Sequence, residues 1–221
     1  AELVAAPVGS LLRIPGAMSF DQAAAGQIAF GTSFHMLISR ARIKSGETVL
    51  VQAAGSGVGS AAVEIAVAAG CRVIATAGSE EKLRKAEGLG ATHTINYRTE
   101  KFLERVLDLT QGRGVDVVFE HVGGEVFTDS VKALAKGGRL VTCGAHAGEV
   151  PNIDLIDLFR REATVIGSYT YTPFELRQVM LLMESGKLKP VIHKAFPLDQ
   201  AAAAQDVLAR REQFGKVILN P

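Results

Sequence analysis

Cysteine is scarce. Cys71 and Cys143 are the only two in 221 residues, too few for a disulfide framework. Both lie in apolar stretches and read as reduced, buried core residues of a cytoplasmic protein. The five histidines, His35, His93, His121, His146 and His193, are dispersed, and none shares zinc-ligand spacing with a cysteine. Each reads as a structural or surface residue. An excess of either charge is also missing: 24 Lys and Arg stand against 23 Asp and Glu, a net charge of +1. That balance argues against nucleic acid or an anionic membrane as the main partner. The most apolar span, Ile65–Ala77, is interrupted by Gly70 and Arg72 and is too short to cross a bilayer. Ala1–Pro7 lacks the basic start and apolar core of a signal peptide. There is no internal repeat and no low-complexity linker.

What the chain does have is apolar residues, 48% of it, enough for a full core. Its length suits one large domain, or one domain plus part of another. The organising stretch is Thr48–Ser60, TVLVQAAGSGVGS. A short apolar strand runs into Gly55-Ser56-Gly57-Val58-Gly59, and the small-residue run Ala61–Ala69 continues as a helix. Strand, glycine turn and helix form the phosphate-binding start of a dinucleotide fold. Glycines let the backbone approach a pyrophosphate, and the helix N-terminus offers free N–H groups. The match to G-x-G-x-x-G is imperfect, because the third glycine position falls on Ser60. By itself the pattern also fits a glycine-rich turn in any parallel α/β protein.

The rest of the chain supplies the context. Ala1–Ala6 reads as strand-like, and Asp21 caps a helix over Gln22–Phe34 that continues to Arg42. Strands are expected at Thr48–Gln52, Arg72–Ala77, His93–Asn96, Val115–Glu120, Arg139–Cys143 and Thr164–Ser168. Helices separate them at Glu80–Leu89, at Glu100–Leu109 and in a segment ending at Gly137-Gly138; an irregular stretch precedes the sixth strand. Glycine-bounded strands alternating with helices of about ten residues predict an α/β fold, a doubly wound six-stranded parallel sheet with right-handed crossovers. After Tyr171 the rhythm changes. A helix at Phe174–Glu184, a strand at Lys189–Phe196, a helix at Asp199–Arg211 and a strand at Lys216–Leu219 suggest a smaller second unit.

Together these stretches resemble the medium-chain dehydrogenase/reductase family, in its zinc-free quinone oxidoreductase branch. The likeness is carried by Ala1–Pro7, Ala25–Leu37, Gly46–Ser60, Arg72–Lys82, Gly88–Arg98, Gly112–Gly124, Gly137–Gly144, Glu184–Pro190 and Phe214–Pro221. It implies three parts: residues 1–28 as the end of a truncated GroES-like catalytic domain, 29–170 as a Rossmann domain, and 171–221 as a segment returning to the catalytic unit. Zinc-using relatives carry a ligand cysteine ahead of the first helix. The matching place here resembles Ile28-Ala29, so no catalytic zinc is expected.

For the cofactor, the glycines Gly55, Gly57 and Gly59 are expected at the pyrophosphate, with the backbone of Ser56, Gly57 and Val58 closest. The second strand ends Ala75-Thr76-Ala77 without the acid that an NAD ribose favours. Ser79 and Lys82 follow, which suits a 2′-phosphate and so NADP(H). Ser79 also reads as a plain N-cap, and Glu80 and Glu81 would repel a phosphate if they pointed inward. By resemblance Tyr97 approaches the same phosphate, Thr32 caps the nicotinamide ring, and Val122, Gly144, Ala145, Ser168 and Tyr169 line its end of the site. Lys216 lies near the phosphates by the same likeness. Tyr97 also fits a half-buried aromatic, and Lys216 an ordinary surface lysine. Tyr169 and Tyr171 are the candidate proton donors.

The expected activity is hydride transfer from NADPH to a small molecule, a quinone or an activated enone or enoyl acceptor. An enoyl reductase module of a synthase, or a non-catalytic nucleotide-binding protein, are the rival readings. The sixth strand, uncharged and β-branched at its centre, is expected to form a homodimer edge.

Overall fold

The computed structural model describes residues 3–16 and 18–221. Ala1 and Glu2, the start of the expected Ala1–Ala6 strand, and Ala17 lie outside the described residues. The described part, Leu3–Ala6, is not a strand. Among the described residues no strand pairs with it, and Leu3 and Val4 are about nine-tenths exposed.

The first helix, α1 (Phe20–Phe34), starts two residues earlier than expected. Its cap is Ser19, not Asp21: the Ser19 hydroxyl accepts from the Gln22 N–H, and the Gln22 side chain accepts from the Ser19 N–H. This reciprocal capping box satisfies two otherwise orphaned donors. The helix then widens into a π-helical turn over His35–Arg40, where the Ala41 N–H donates to the Met36 carbonyl. Such turns recur at functional or strained places.

Six strands follow: β1 (Thr48–Val51), β2 (Arg72–Ala77), β3 (His93–Asn96), β4 (Val115–Glu120), β5 (Leu134–Thr142) and β6 (Thr164–Gly167). All pair in parallel, in the order β3-β2-β1-β4-β5-β6. The intervening helices are α2 (Gly57–Ala68), α3 (Glu80–Gly88), α4 (Phe102–Leu109), α5 (Gly124–Lys132) and α6 (Leu155–Arg160). This is the doubly wound Rossmann-like sheet that the alternating pattern predicts.

Side chains alternate across the sheet, and both faces are covered. Val49, Val51, Val73, Ala75, Val117 and Phe119 pack on one side with α1 and α2. Leu50, Ile74, Ile95, Val118 and Leu140 pack on the other with α4 and α5. All four β1 residues are buried.

Three further features differ from expectation. The helix before β5 ends at Lys132 rather than Gly137, because Leu134 already pairs with Val115. Gly137 and Gly138 therefore turn within β5, at its register shift. Helix α6 lies in the stretch read as irregular, capped by Asp154, which accepts from Ile156 and Asp157 N–H. Cys143 is only half-buried, unlike Cys71.

Beyond the sheet, α7 (Pro173–Glu184) packs on α1. A two-stranded parallel sheet of β7 (Ile192–Pro197) and β8 (Lys216–Asn220) is bridged by α8 (Ala201–Ala209). Strand β7 starts three residues after Lys189, beyond Pro190, which has no ladder donor.

Candidate functional site

Strand order reverses between β1 and β4, and in open α/β sheets this is where a crevice forms beyond the strand ends. The chain leaving β1 bends at Ala53, whose φ is +48°, and Ala54 N–H donates to the Thr76 carbonyl at 2.8 Å. Ser56 caps α2, its hydroxyl accepting from Gly59 N–H at 2.9 Å. A Cβ at Gly59 would stand 2.3 Å from the Ala53 carbonyl oxygen, so only glycine lets the helix start this close to the strand. The first turn of α2 carries no acid, leaving its N–H groups available to an anion. Ser33 donates to the Val58 carbonyl at 2.8 Å and fastens α1, with the half-buried Thr32, beside this turn.

At the outer end, past β2, Ser79 caps α3 by accepting from Lys82 N–H at 3.4 Å. The plain N-cap reading of Ser79 therefore holds whatever else it does. The Lys82 stem lies beside Gly55, its Cδ 3.0 Å from where a Cβ would stand. Its ammonium donates to the Arg211 carbonyl at 2.6 Å. Burial, and then the Arg98 charge, hold the Lys82 pKa below the ordinary lysine value. The Tyr97 hydroxyl abuts Gly78, and the Lys216 stem abuts Gly57. Both acids have partners: Glu80 accepts from Asn96 Nδ2 at 2.8 Å, next to Tyr97, and Glu81 pairs with Lys85 at 2.6 Å. Gly215 N–H donates to the Gly55 carbonyl at 3.0 Å and pins the C-terminal segment to the turn.

The inner end, past β4 and β5, is built differently. Glu120 is fully buried and accepts from Val122 N–H at 2.5 Å, Gly123 N–H at 2.7 Å and the Thr142 hydroxyl at 2.9 Å. That carboxylate shapes the loop holding Val122 and draws in the end of β5. Gly144 packs against the His121 carbonyl, and Ala145 is exposed beyond it. His121 is 5% exposed; its Nε2 lies 3.2 Å from the Gln52 carbonyl and 3.3 Å from the Ser56 hydroxyl. Gln52 in turn donates to Ser130 at 3.0 Å and accepts from the Thr76 hydroxyl at 2.8 Å. Burial, and then the nearby His146, push the His121 pKa down to about 4.

Sequence reasoning missed this network. In the sequence His121 reads only as a structural or surface residue, and its partner Ser56 is 65 positions away. Ser168 follows β6 with its hydroxyl buried and, among the described residues, unpartnered. Tyr169 is 90% exposed, with nothing packed on it to orient it as a proton donor. Tyr171 rests instead against Gly31 of α1.

Helices α1 and α7 are clamped by Glu175, which is 6% exposed. His35 Nδ1 lies 2.8 Å from its carboxylate, and Ser39 and Thr172 donate to it as well. Burial alone would raise the Glu175 pKa. The donors from Ser39, Thr172 and His35 outweigh it and bring the pKa down to about 2.

Among the described residues no group of three His, Cys, Asp or Glu could hold a metal ion. Ile28, at the matching place for a zinc ligand, offers no donor atom and is 55% exposed. A cavity of about 220 Å³, lined by Thr48, Arg72, His93 and Arg113, opens at the opposite, N-terminal end of the strands.

Residues 57–185, more than half of the chain, match the family described as zinc-binding dehydrogenase. A quinone oxidoreductase-like protein 2 homolog of Nematostella vectensis is 36% identical over 100% of this chain and 63% of its own length. The chain thus spans less than two thirds of that relative. Among solved structures, an NAD-dependent alcohol dehydrogenase superposes with a TM-score of 0.90 at 39% identity, covering 98% of this chain and 63% of that one. A 2-octenoyl-CoA carboxylase reductase in complex with NADP and 2-octenoyl-CoA gives 0.87 at 30% identity, covering 94% and 51%. With its six-stranded parallel sheet and glycine turn, the chain belongs to the medium-chain dehydrogenase/reductase superfamily, on the side of the quinone oxidoreductase-like proteins.

Proposed function

We propose that this chain binds NADPH along the C-terminal edge of its sheet and serves a zinc-free oxidoreductase. The acceptor is a quinone or an activated enone or enoyl compound. The observation that carries this reading is the end of β2. It has no acid for a ribose 2′-OH, while Ser79, Lys82 and Tyr97 converge there and Glu80 and Glu81 each have a partner. The glycine turn and the capped start of α2 suit the pyrophosphate, with Lys216 beside Gly57. Thr32, Val122, Gly144, Ala145, Ser168 and Tyr169 are the residues for the nicotinamide end. Bound there, the cofactor would supply the hydride. The chain's own work is orientation: Glu120 fixes the Val122 loop, and Ser33 fixes α1 against α2.

Titration of NADPH and NADH, followed by cofactor fluorescence, tests the choice. Tighter binding of NADPH is expected, and a lower NADH dissociation constant would overturn it. Elemental analysis should find no stoichiometric zinc; one zinc per chain would contradict the metal-free reading. A second acceptor class is favoured by the relative bound to 2-octenoyl-CoA. A turnover panel of quinones, enones and enoyl thioesters on the full-length protein separates the two. Turnover of none of them would support the non-catalytic reading.

The proposal extends to a cytoplasmic homodimer. The two cysteines are free, which suits a reducing compartment. Strand β6 is a sheet edge with Val165 39% exposed, and Leu155 and Phe159 of the preceding α6 are 68% and 65% exposed. Such an edge invites pairing with a second copy. Light scattering should give twice the chain mass at micromolar concentration, and Ile166→Pro should halve it by removing a ladder donor.

A further inference from the structure

His121 is the group whose surroundings the reading above does not use. It is buried where β1 and β4 diverge, on the inner side of the glycine turn, and it touches the capping residue of the phosphate-facing helix. Its Nε2 faces two oxygens, the Gln52 carbonyl at 3.2 Å and the Ser56 hydroxyl at 3.3 Å. A carbonyl oxygen can only accept, so an unprotonated Nε2 there would set lone pair against lone pair. Nε2 therefore carries the proton, and the carbonyl of Gln52 fixes the tautomer. Burial keeps the ring uncharged at neutral pH, with its pKa near 4.

The consequence falls on Ser56. Its oxygen already accepts from Gly59 N–H at 2.9 Å, and it now accepts a share of the imidazole N–H. With both lone-pair directions occupied, its own hydrogen is left to donate. The turn at Gly55–Gly59 carries the first N–H groups of α2 and no acid. A hydroxyl committed to donating adds one more donor for an anion at that place. An imidazole accepting from Ser56 would turn the hydroxyl's lone pairs toward the anion instead.

The geometry points to His121 as a positioning residue that acts through Ser56, setting the capping hydroxyl as a donor to the cofactor's pyrophosphate. This deepens the proposed function and rests on it. Gln52 belongs to the same device. It supplies the carbonyl that fixes the tautomer, and its side chain is itself held by Thr76 and Ser130.

A double-mutant cycle on dinucleotide binding tests this. The readouts are the NADPH and NADH dissociation constants from cofactor fluorescence and the melting temperature of each variant. His121→Phe keeps the ring volume and removes the donor; it should weaken dinucleotide binding five- to tenfold. In a Ser56→Ala background the same change should cost less than twofold, because the group it acts through is gone. His121→Gln, which can place an amide N–H near the Nε2 position, should recover most of the affinity while its melting temperature stays that of His121→Phe. Equal losses in both backgrounds, or recovery that merely follows the melting temperature, would make His121 a packing residue and overturn the inference. No loss in His121→Phe overturns it too. If the unmutated chain binds neither dinucleotide, the proposed function itself fails and the inference falls with it. If the unmutated chain binds and only the cycle is additive, the inference alone fails.

Discussion

The two ends of the crevice are built on opposite physical plans. At the outer end, past β2, the polar groups are long and partly solvated: Lys82, Tyr97, Arg98 and Lys216 come from three places in the chain. At the inner end, past β4, they are buried and hydrogen-bonded in two groups: Glu120 with Val122, Gly123 and Thr142, and His121, Gln52, Thr76 and Ser130 with one another. Charge in water reaches far but is screened and adaptable. A buried network sets positions to a fraction of an ångström and tolerates no missing partner. The first plan suits discrimination by charge, the second suits the fixing of a reacting ring.

The strongest way to break this comparison is to remove the inner hub. Glu120→Ala leaves two backbone N–H groups and the Thr142 hydroxyl without their acceptor inside the protein. Buried unpaired donors each carry a penalty, so a loss on the order of 3 kcal/mol is expected in urea denaturation. Glu120→Gln keeps an acceptor oxygen and should lose clearly less. A loss in Glu120→Ala no larger than for an exposed glutamate would put the hub in doubt.

At the outer end the effect should appear in binding and not in stability. Lys82→Ala is expected to weaken NADPH by about 1–2 kcal/mol, the scale of a charged hydrogen bond, with NADH nearly unchanged. Raising salt should shrink that difference, because the site is partly open to solvent. A difference that ignores salt would mean that Lys82 acts as packing against Gly55.

Outside both ends, the α1–α7 clamp gives an acid-limb control. The folded-state pKa of Glu175, about 2, lies below its ordinary value of 4.5. The linked stability is therefore fully present above that ordinary value and is lost as pH falls toward 2. Glu175→Gln should flatten the fall in melting temperature over this window and leave the NADPH constant at neutral pH unchanged. An unchanged acid limb would assign the fall to other carboxylates.

The smallest effect is expected from Glu81→Gln. Its pair with Lys85 is solvent-exposed, and such pairs contribute little. Neither the melting temperature nor the cofactor constants should shift measurably. A tighter NADPH constant would show that Glu81 opposes the 2′-phosphate after all.

The sheet was legible because its signals are local. Val115–Glu120 and Arg72–Ala77 are short apolar runs next to glycine turns, and both match the observed strands. Boundaries failed where pairing overrode local pattern. Gly137 and Gly138 look like a helix end, yet Leu134 beside them is already in the ladder with Val115. Ser19 outranked Asp21 as a cap because Gln22 could reciprocate. The site divides the same way. Strand, turn and helix over Thr48–Ser60 are contiguous, so the sequence alone located that turn.

What the sequence by itself determined is thus the six strands of the sheet, the glycine turn and the missing acid after β2, since each depends on neighbours a few residues apart. Only the tertiary structure decided which partners Glu80 and Glu81 take, that the Arg211 carbonyl engages Lys82, and that His121 meets Ser56. Apart from the Glu81–Lys85 pair, one helical turn apart, those contacts join residues 16 to 129 positions apart. Side-chain hydrogen bonds of that kind leave no periodicity in the chain, because they exist only once the core has brought their partners within 3 Å or so of one another.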